Sequence, residues 1–185
     1  FMEALERRHR VVNYDGRGSG LSQRESLDFS LEARLLDLEA VIDRLQLERF
    51  ALIGAWQGGL AAVAYAVRHP DRVTHLILSN AFAKAEEFYL QIPTMRLSQV
   101  ALDTPEEDWE FHLQTLTHAM AGYSNPALAQ SLLKMFRTGM TRADYVAYRR
   151  AASGIDVTDL LPEIRVPTLV VTDGSFASVA FPPLS

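Results

Sequence analysis

The 185-residue chain contains no cysteine. That excludes a disulfide framework, thiolate catalysis and thiolate metal ligation, and it fits a reducing, cytoplasmic compartment. No stretch approaches the ~18 consecutive apolar residues of a membrane-crossing helix, and no secretory leader is visible. Basic residues are in the minority, 18 Lys and Arg against 23 Asp and Glu, for a formal charge of −5. They form no block, which argues against nucleic acid as a partner. The chain opens on Phe1 inside what already reads as the end of a helix over residues 1–8. A fragment of a longer protein is therefore as natural an expectation as a start at Met2.

What remains is ordinary globular material. The hydrophobic share of 48% suits a sizeable core and speaks against disorder. After the opening helix, Val11 and Val12 within residues 11–14 read as a short buried strand. Asp15-Gly16-Arg17-Gly18-Ser19-Gly20 follows as a glycine-rich loop. Ser30 can cap a helix whose Leu31, Leu35, Leu38, Ile42 and Leu45 form one apolar stripe. Residues 50–53 predict a strand ended by Gly54, residues 58–68 a helix of small residues stopped at Pro70, and residues 73–78 another strand.

Residues 84–160 read as helices without strands. Thr104-Pro105-Glu106-Glu107 has the form of a capping box with proline at the first helical position. Asn125-Pro126 starts a helix that Gly139 can end, and Thr141 and Asp144 start another. Residues 167–171 predict the last strand. Strands alternating with helices, then a helical block, then a strand argue for an α/β fold: a mostly parallel sheet with a helical insertion.

The informative segment is Gly54-Ala55-Trp56-Gln57-Gly58-Gly59, between a predicted strand and a predicted helix. Glycines two before and two after a central residue give the spacing of a nucleophile elbow. In such a turn the central residue is strained and its neighbours lack bulk, while the next backbone N–H faces an oxyanion. The Asp15–Gly20 loop lacks the Lys-Ser/Thr ending of a phosphate-binding loop, so nucleotide binding is not expected.

The chain resembles the α/β-hydrolase superfamily, in particular a bacterial group associated with adenylate cyclase and transcriptional-regulator modules. The resemblance rests on Tyr14-Asp15-Gly16-Arg17-Gly18-Ser19-Gly20, Gln57-Gly58-Gly59, His69-Pro70-Asp71-Arg72-Val73, Asp156-Val157-Thr158-Asp159-Leu160-Leu161 and Val166-Pro167-Thr168-Leu169. These lie in family order along nearly the whole chain. The resemblance implies a partial α/β-hydrolase core. Residues 1–83 would form its first part, 84–160 a helical cap and 161–185 the return to the core. It also implies that Asp15 and Arg17 are scaffold residues beside the active site, and that the Gln57 N–H serves an oxyanion.

Departures from the family pattern decide the expected chemistry. Trp56 stands where the nucleophilic serine belongs, and indole offers no oxygen or sulfur for a base to activate. Asp173 is the nearest candidate for the acid, and a turn aspartate is the simpler account of it. None of His9, His69, His75, His112 and His118 sits in the context of the general base, which the family places after a further strand and helix. The family's oxyanion loop, on a strand ahead of residue 1, would lie between the strands of residues 11–14 and 50–53. The expected protein is thus an inactive relative or fragment of an ester- or lactone-type hydrolase. The alternatives are a ligand-binding or regulatory module, or a hydrolase active only within a longer chain. No metal or cofactor is expected. The partner class is a small apolar ligand under the cap, whose aromatic and thioether side chains are Phe88, Tyr89, Trp109, Phe111, Met120, Tyr123, Met135, Phe136, Met140, Tyr145 and Tyr148.

Overall fold

Three parallel strands, β1 (Phe50–Ala55), β2 (Val73–Ser79) and β3 (Thr168–Val171), carry the architecture in sheet order β1-β2-β3. They are seen in a computed structural model that describes residues 2–24 and 28–172. Leu52 pairs with Leu76, and Leu76 with Thr168; at the other end Ala55 pairs with Ser79, and Ser79 with Val171. The strands therefore finish level along one edge. In open α/β sheets that carboxyl edge is where ligand sites form.

A short α1 (Met2–Glu6) precedes α2 (Leu31–Arg44), and α3 (Gly58–Arg68) links β1 to β2. The Ser30 hydroxyl accepts the Ala33 N–H at 3.2 Å, the N-cap its position suggested. Leu35, Leu38 and Ile42 of the predicted stripe are buried, and Leu31 packs against the same cluster. On α3, Leu60, Ala62, Val63, Ala64, Tyr65 and Ala66 are buried against the sheet. The small side chains let the helix backbone approach the strands, and Leu76 and Leu78 complete that core from β2.

The expected strand at residues 11–14 does not form. This segment runs without a ladder, and Val12 and Tyr14 are each 39% exposed. A strand is a pairing, and its local pattern is only half of it. Among the described residues β1 pairs with β2 and has no strand on its other side, so this segment has no ladder to join.

Between β2 and β3 lie α4 (Ala85–Gln91), α5 (Pro93–Val100), α6 (Trp109–Met120), α7 (Pro126–Gly139) and α8 (Arg142–Ser153). The two ends of the helical segment are tied together outside the sheet. Lys84 and Asp156 form an isolated antiparallel bridge, flanked by Ala85 N–H to the Ile155 carbonyl at 3.0 Å and Val157 N–H to the Ala83 carbonyl at 2.8 Å. Its local starts follow the sequence at two places. Asn125 accepts the Leu128 N–H at 3.0 Å ahead of Pro126. Thr141 accepts the Asp144 N–H at 3.1 Å and donates its hydroxyl to the Asp144 carboxylate at 2.7 Å.

The capping box expected at Thr104 does not form. Its hydroxyl donates instead to the Val100 carbonyl at 2.8 Å, closing the end of α5, and a 3-10 turn over Glu106–Asp108 leads into α6. A hydroxyl held by the preceding helix is lost to the following one. No described helix is long and apolar enough to cross a membrane.

Candidate active site

β1 ends in a sharp turn at Trp56, whose φ is +51. A left-handed backbone costs an L-residue about 1–2 kcal/mol, so the surroundings must hold it there. The Trp56 N–H donates to the Ser79 carbonyl at 3.0 Å, and the Trp56 carbonyl accepts the Gly59 N–H at 3.1 Å. The turn is thus tied to the end of β2 on one side and to the first turn of α3 on the other.

The flanking glycines are not equivalent. A Cβ on Gly54 would lie 2.6 Å from the Ala62 Cβ and 2.8 Å from the Gly59 Cα; one on Gly59 would lie 2.5 Å from the Ala81 Cβ. Both are demanded by close packing of strand and helix. A Cβ on Gly58 would meet nothing within 4 Å, so the expected steric need for glycine two residues after the centre is absent.

The half-exposed Trp56 indole stands in the wall of a cavity of about 670 Å³ at the carboxyl edge of the sheet. The remaining wall comes from the Asp15–Arg24 loop and from α4 to α8. Of the aromatic and thioether side chains named in the helical segment, whose sequence does not say which face a pocket, Phe88, Tyr89, Met120, Met135, Phe136, Met140, Tyr145 and Tyr148 line it. Trp109, Phe111 and Tyr123 do not; the last two are 74% and 71% exposed.

Gln57 sits at the mouth of α3 with its amide between two phenols. Its Nε2 donates to the Tyr89 hydroxyl, and its Oε1 accepts from the Tyr148 hydroxyl. Burial pushes the Tyr89, Tyr145 and Tyr148 phenols up, so all three are neutral donors and acceptors at neutral pH.

Asp15 and Arg17 diverge. Asp15 lines the cavity, and its carboxylate accepts the Leu21 N–H at 3.0 Å. A Cβ on Gly20, whose φ is +55, would lie 2.2 Å from that carboxylate, so the loop closes around Asp15 only with glycine there. Arg17 turns to α2. It donates from Nε and Nη2 to the two oxygens of Asp37, each at 2.8 Å, and from Nη2 to the Ala33 carbonyl at 2.8 Å. It fastens the loop to the helix.

No nucleophile–base pair faces the cavity among the described residues. Ser19 and Ser98 line it, but Ser19 Oγ donates to the Gly16 carbonyl at 2.8 Å and Ser98 Oγ to the Met95 carbonyl. None of the five histidines lines it. His112 is buried against Trp109, with rings 5.4 Å apart and 15° from parallel, and burial lowers its pKa. Asp173 lies outside the described residues. Among those residues, no three His, Asp or Glu side chains converge to hold a metal ion.

Arg149 was not singled out by its sequence, yet it is 2% exposed and lines the cavity. A signal was present. On α8 it falls in register with the buried Tyr145 and Ala152, where a helix stripe should be apolar.

A family model described as alpha/beta hydrolase fold matches residues 1–176. A RutD protein of Rhizobium rhizogenes, named as a carbamate hydrolase, is 30% identical over 180 residues, covering 92% of this chain and 66% of that protein. Epoxide hydrolase 3 of Xenopus tropicalis is 33% identical over 136 residues, 63% of this chain and 36% of that one. Among solved structures, the enol-lactonase of Burkholderia xenovorans superposes with a TM-score of 0.71 at 25% identity, over 92% of this chain and 64% of the enzyme. A hydrolase of Pseudomonas aeruginosa superposes with a TM-score of 0.72 at 23% identity, over 96% and 69%, a likeness of fold alone. The chain thus spans under two thirds of the length of the Rhizobium and Burkholderia proteins.

Proposed function

The chain belongs to the alpha/beta hydrolase fold family, and we propose that it is a member without hydrolytic chemistry of its own, a pseudoenzyme whose cavity serves as a binding site for a small, largely apolar ligand. The observation that carries this reading is Trp56. It occupies the strained position between β1 and α3, at φ +51, with its indole in the cavity wall. A residue there is aimed at whatever enters, and an indole has no oxygen or sulfur for a base to activate. The serines of the cavity give their protons to backbone carbonyls, and no histidine reaches them to act as base. In this reading residues 84–160 act as a cap on the core that carries the three strands, and the cysteine-free composition suits a cytoplasmic setting.

Turnover of 4-nitrophenyl butyrate tests it. The chain is expected to release nitrophenolate no faster than buffer, and Trp56→Ser alone is expected to leave that rate at background. Saturable turnover by the unaltered chain sinks the proposal. A second reading, hydrolysis by a longer protein that contains this chain, is favoured by the 66% and 64% of its relatives that the chain spans. It requires the added segments to bring a nucleophile past Trp56. Turnover by the longer protein, unaffected by Trp56→Ala, would mark that case.

A further inference from the structure

Arg149 holds a buried charge that no carboxylate of the fold is seen to pair. Its Nε, Nη1 and Nη2 are all buried and make no hydrogen bond of good geometry among the described residues, although the guanidinium lies close enough to the Tyr89 and Tyr145 hydroxyls to act on them; the residue is 2% exposed. Guanidinium does not lose its proton in proteins, so the charge cannot be shed. A buried ion without a counter-ion is strongly penalised. The nearby compensation is partial. The guanidinium carbon lies 3.1 Å from the centroid of the Tyr89 ring, a cation–π contact. The neighbouring Tyr89 and Tyr145 phenols are held neutral by burial, so neither supplies an anion. Asp15 is the one carboxylate in the cavity wall among the described residues, and it is engaged by the Leu21 N–H within its own loop.

We propose that Arg149 is the anion-binding group of the cavity, and that the ligand is a small organic acid: a carboxylate on an apolar body. The proposal rests on the reading of the cavity as a ligand site. A carboxylate fits the planar fork of a guanidinium with two parallel charge-assisted hydrogen bonds. The walls fix the rest of the molecule. Phe88, Met95, Leu116 and Phe136 give it an apolar surround in about 670 Å³, which suits a hydrocarbon tail or ring better than a bare inorganic anion.

Octanoate and 1-octanol share a hydrocarbon body and differ in the head group, so calorimetric titration of the chain with each separates the two claims. Octanoate is expected to bind about tenfold or more tighter than 1-octanol, the size of a hydrogen bond to a charged group. In Arg149→Met that ratio is expected to fall to about one while 1-octanol binding is kept. Equal affinities in the unaltered chain overturn the anion assignment and leave the cavity as a ligand site. Binding of neither probe overturns both. Inorganic phosphate that displaces octanoate would overturn the apolar-body assignment. Thermal unfolding guards against a purely structural role. Octanoate is expected to raise the Tm of the unaltered chain and not that of Arg149→Met, and Arg149→Met without ligand is expected to be no less stable. A lower Tm for Arg149→Met together with an unchanged octanoate preference assigns the arginine to the fold and overturns the proposal.

Discussion

The indole of Trp56 meets the ring of Phe88 edge-on, with centroids 6.2 Å apart and planes at 76°. One ring belongs to the turn after β1 and the other to α4, so the contact joins the sheet edge to the helical segment above it. It also makes Trp56 a reporter for the cavity both rings line. The chain has two tryptophans, and Trp109 is outside the cavity wall. In a Trp109→Phe background, 1-octanol is expected to change Trp56 emission saturably. Phe88→Ala is expected to shift the unliganded emission to the red as the indole gains water. A change linear in 1-octanol, with no saturation, would separate the indole from the ligand site.

The elbow glycines divide by steric environment. Gly54→Ala forces a methyl to within 2.6 Å of the Ala62 Cβ, and Gly59→Ala to within 2.5 Å of the Ala81 Cβ. Each is expected to lower stability by about 1–3 kcal/mol. Gly58→Ala meets nothing within 4 Å and begins α3. It is expected to be neutral or to stabilise by up to about 1 kcal/mol. Urea unfolding of the three variants checks the order, and an equal loss in all three would contradict the packing described.

Much of this was legible in the residues. The stripe of α2, the strand–turn–helix around Trp56 and the start of α8 at Thr141 all depend on neighbours within a few positions, and all three formed. The failures share a cause. Val11 and Val12 have a strand's composition, but a ladder needs a partner from elsewhere in the chain. Thr104 has a cap's spacing, but its hydroxyl was captured by Val100. Arg149 looks like a surface cation until α8 is packed beside Tyr89. Which aromatic side chains line the cavity is likewise set by how the helices pack, which their spacing does not contain.

The Gln57 amide holds two phenols at once, the buried Tyr89 on α4 and the partly buried Tyr148 on α8. Gln57→Leu keeps most of the volume and leaves both hydroxyls without that partner. It is expected to destabilise by about 1–3 kcal/mol. Circular dichroism during urea unfolding measures it. A loss no larger than that of an exposed control such as Gln130→Leu would mean that the bridge contributes nothing.

Burial lowers the pKa of His112 from its ordinary 6.5. The unfolded chain therefore binds a proton here before the folded one does, and stability falls as pH drops below about 6.5. This contribution is present at pH 7 and is lost as the pH falls through the lowered folded value. His112→Leu is expected to flatten that part of the profile; the difference between the two profiles isolates His112 from the other titrating groups. A steeper decline in His112→Leu would reverse the sign of the assignment.

The central claim is that the elbow presents an indole and the cavity holds no activated nucleophile. Reaction with a fluorophosphonate, read by intact mass and peptide mapping, tests this most directly. The chain is expected to carry no adduct on any residue of the cavity. One equivalent of adduct on a cavity residue, Ser19 or Ser98 included, would contradict it.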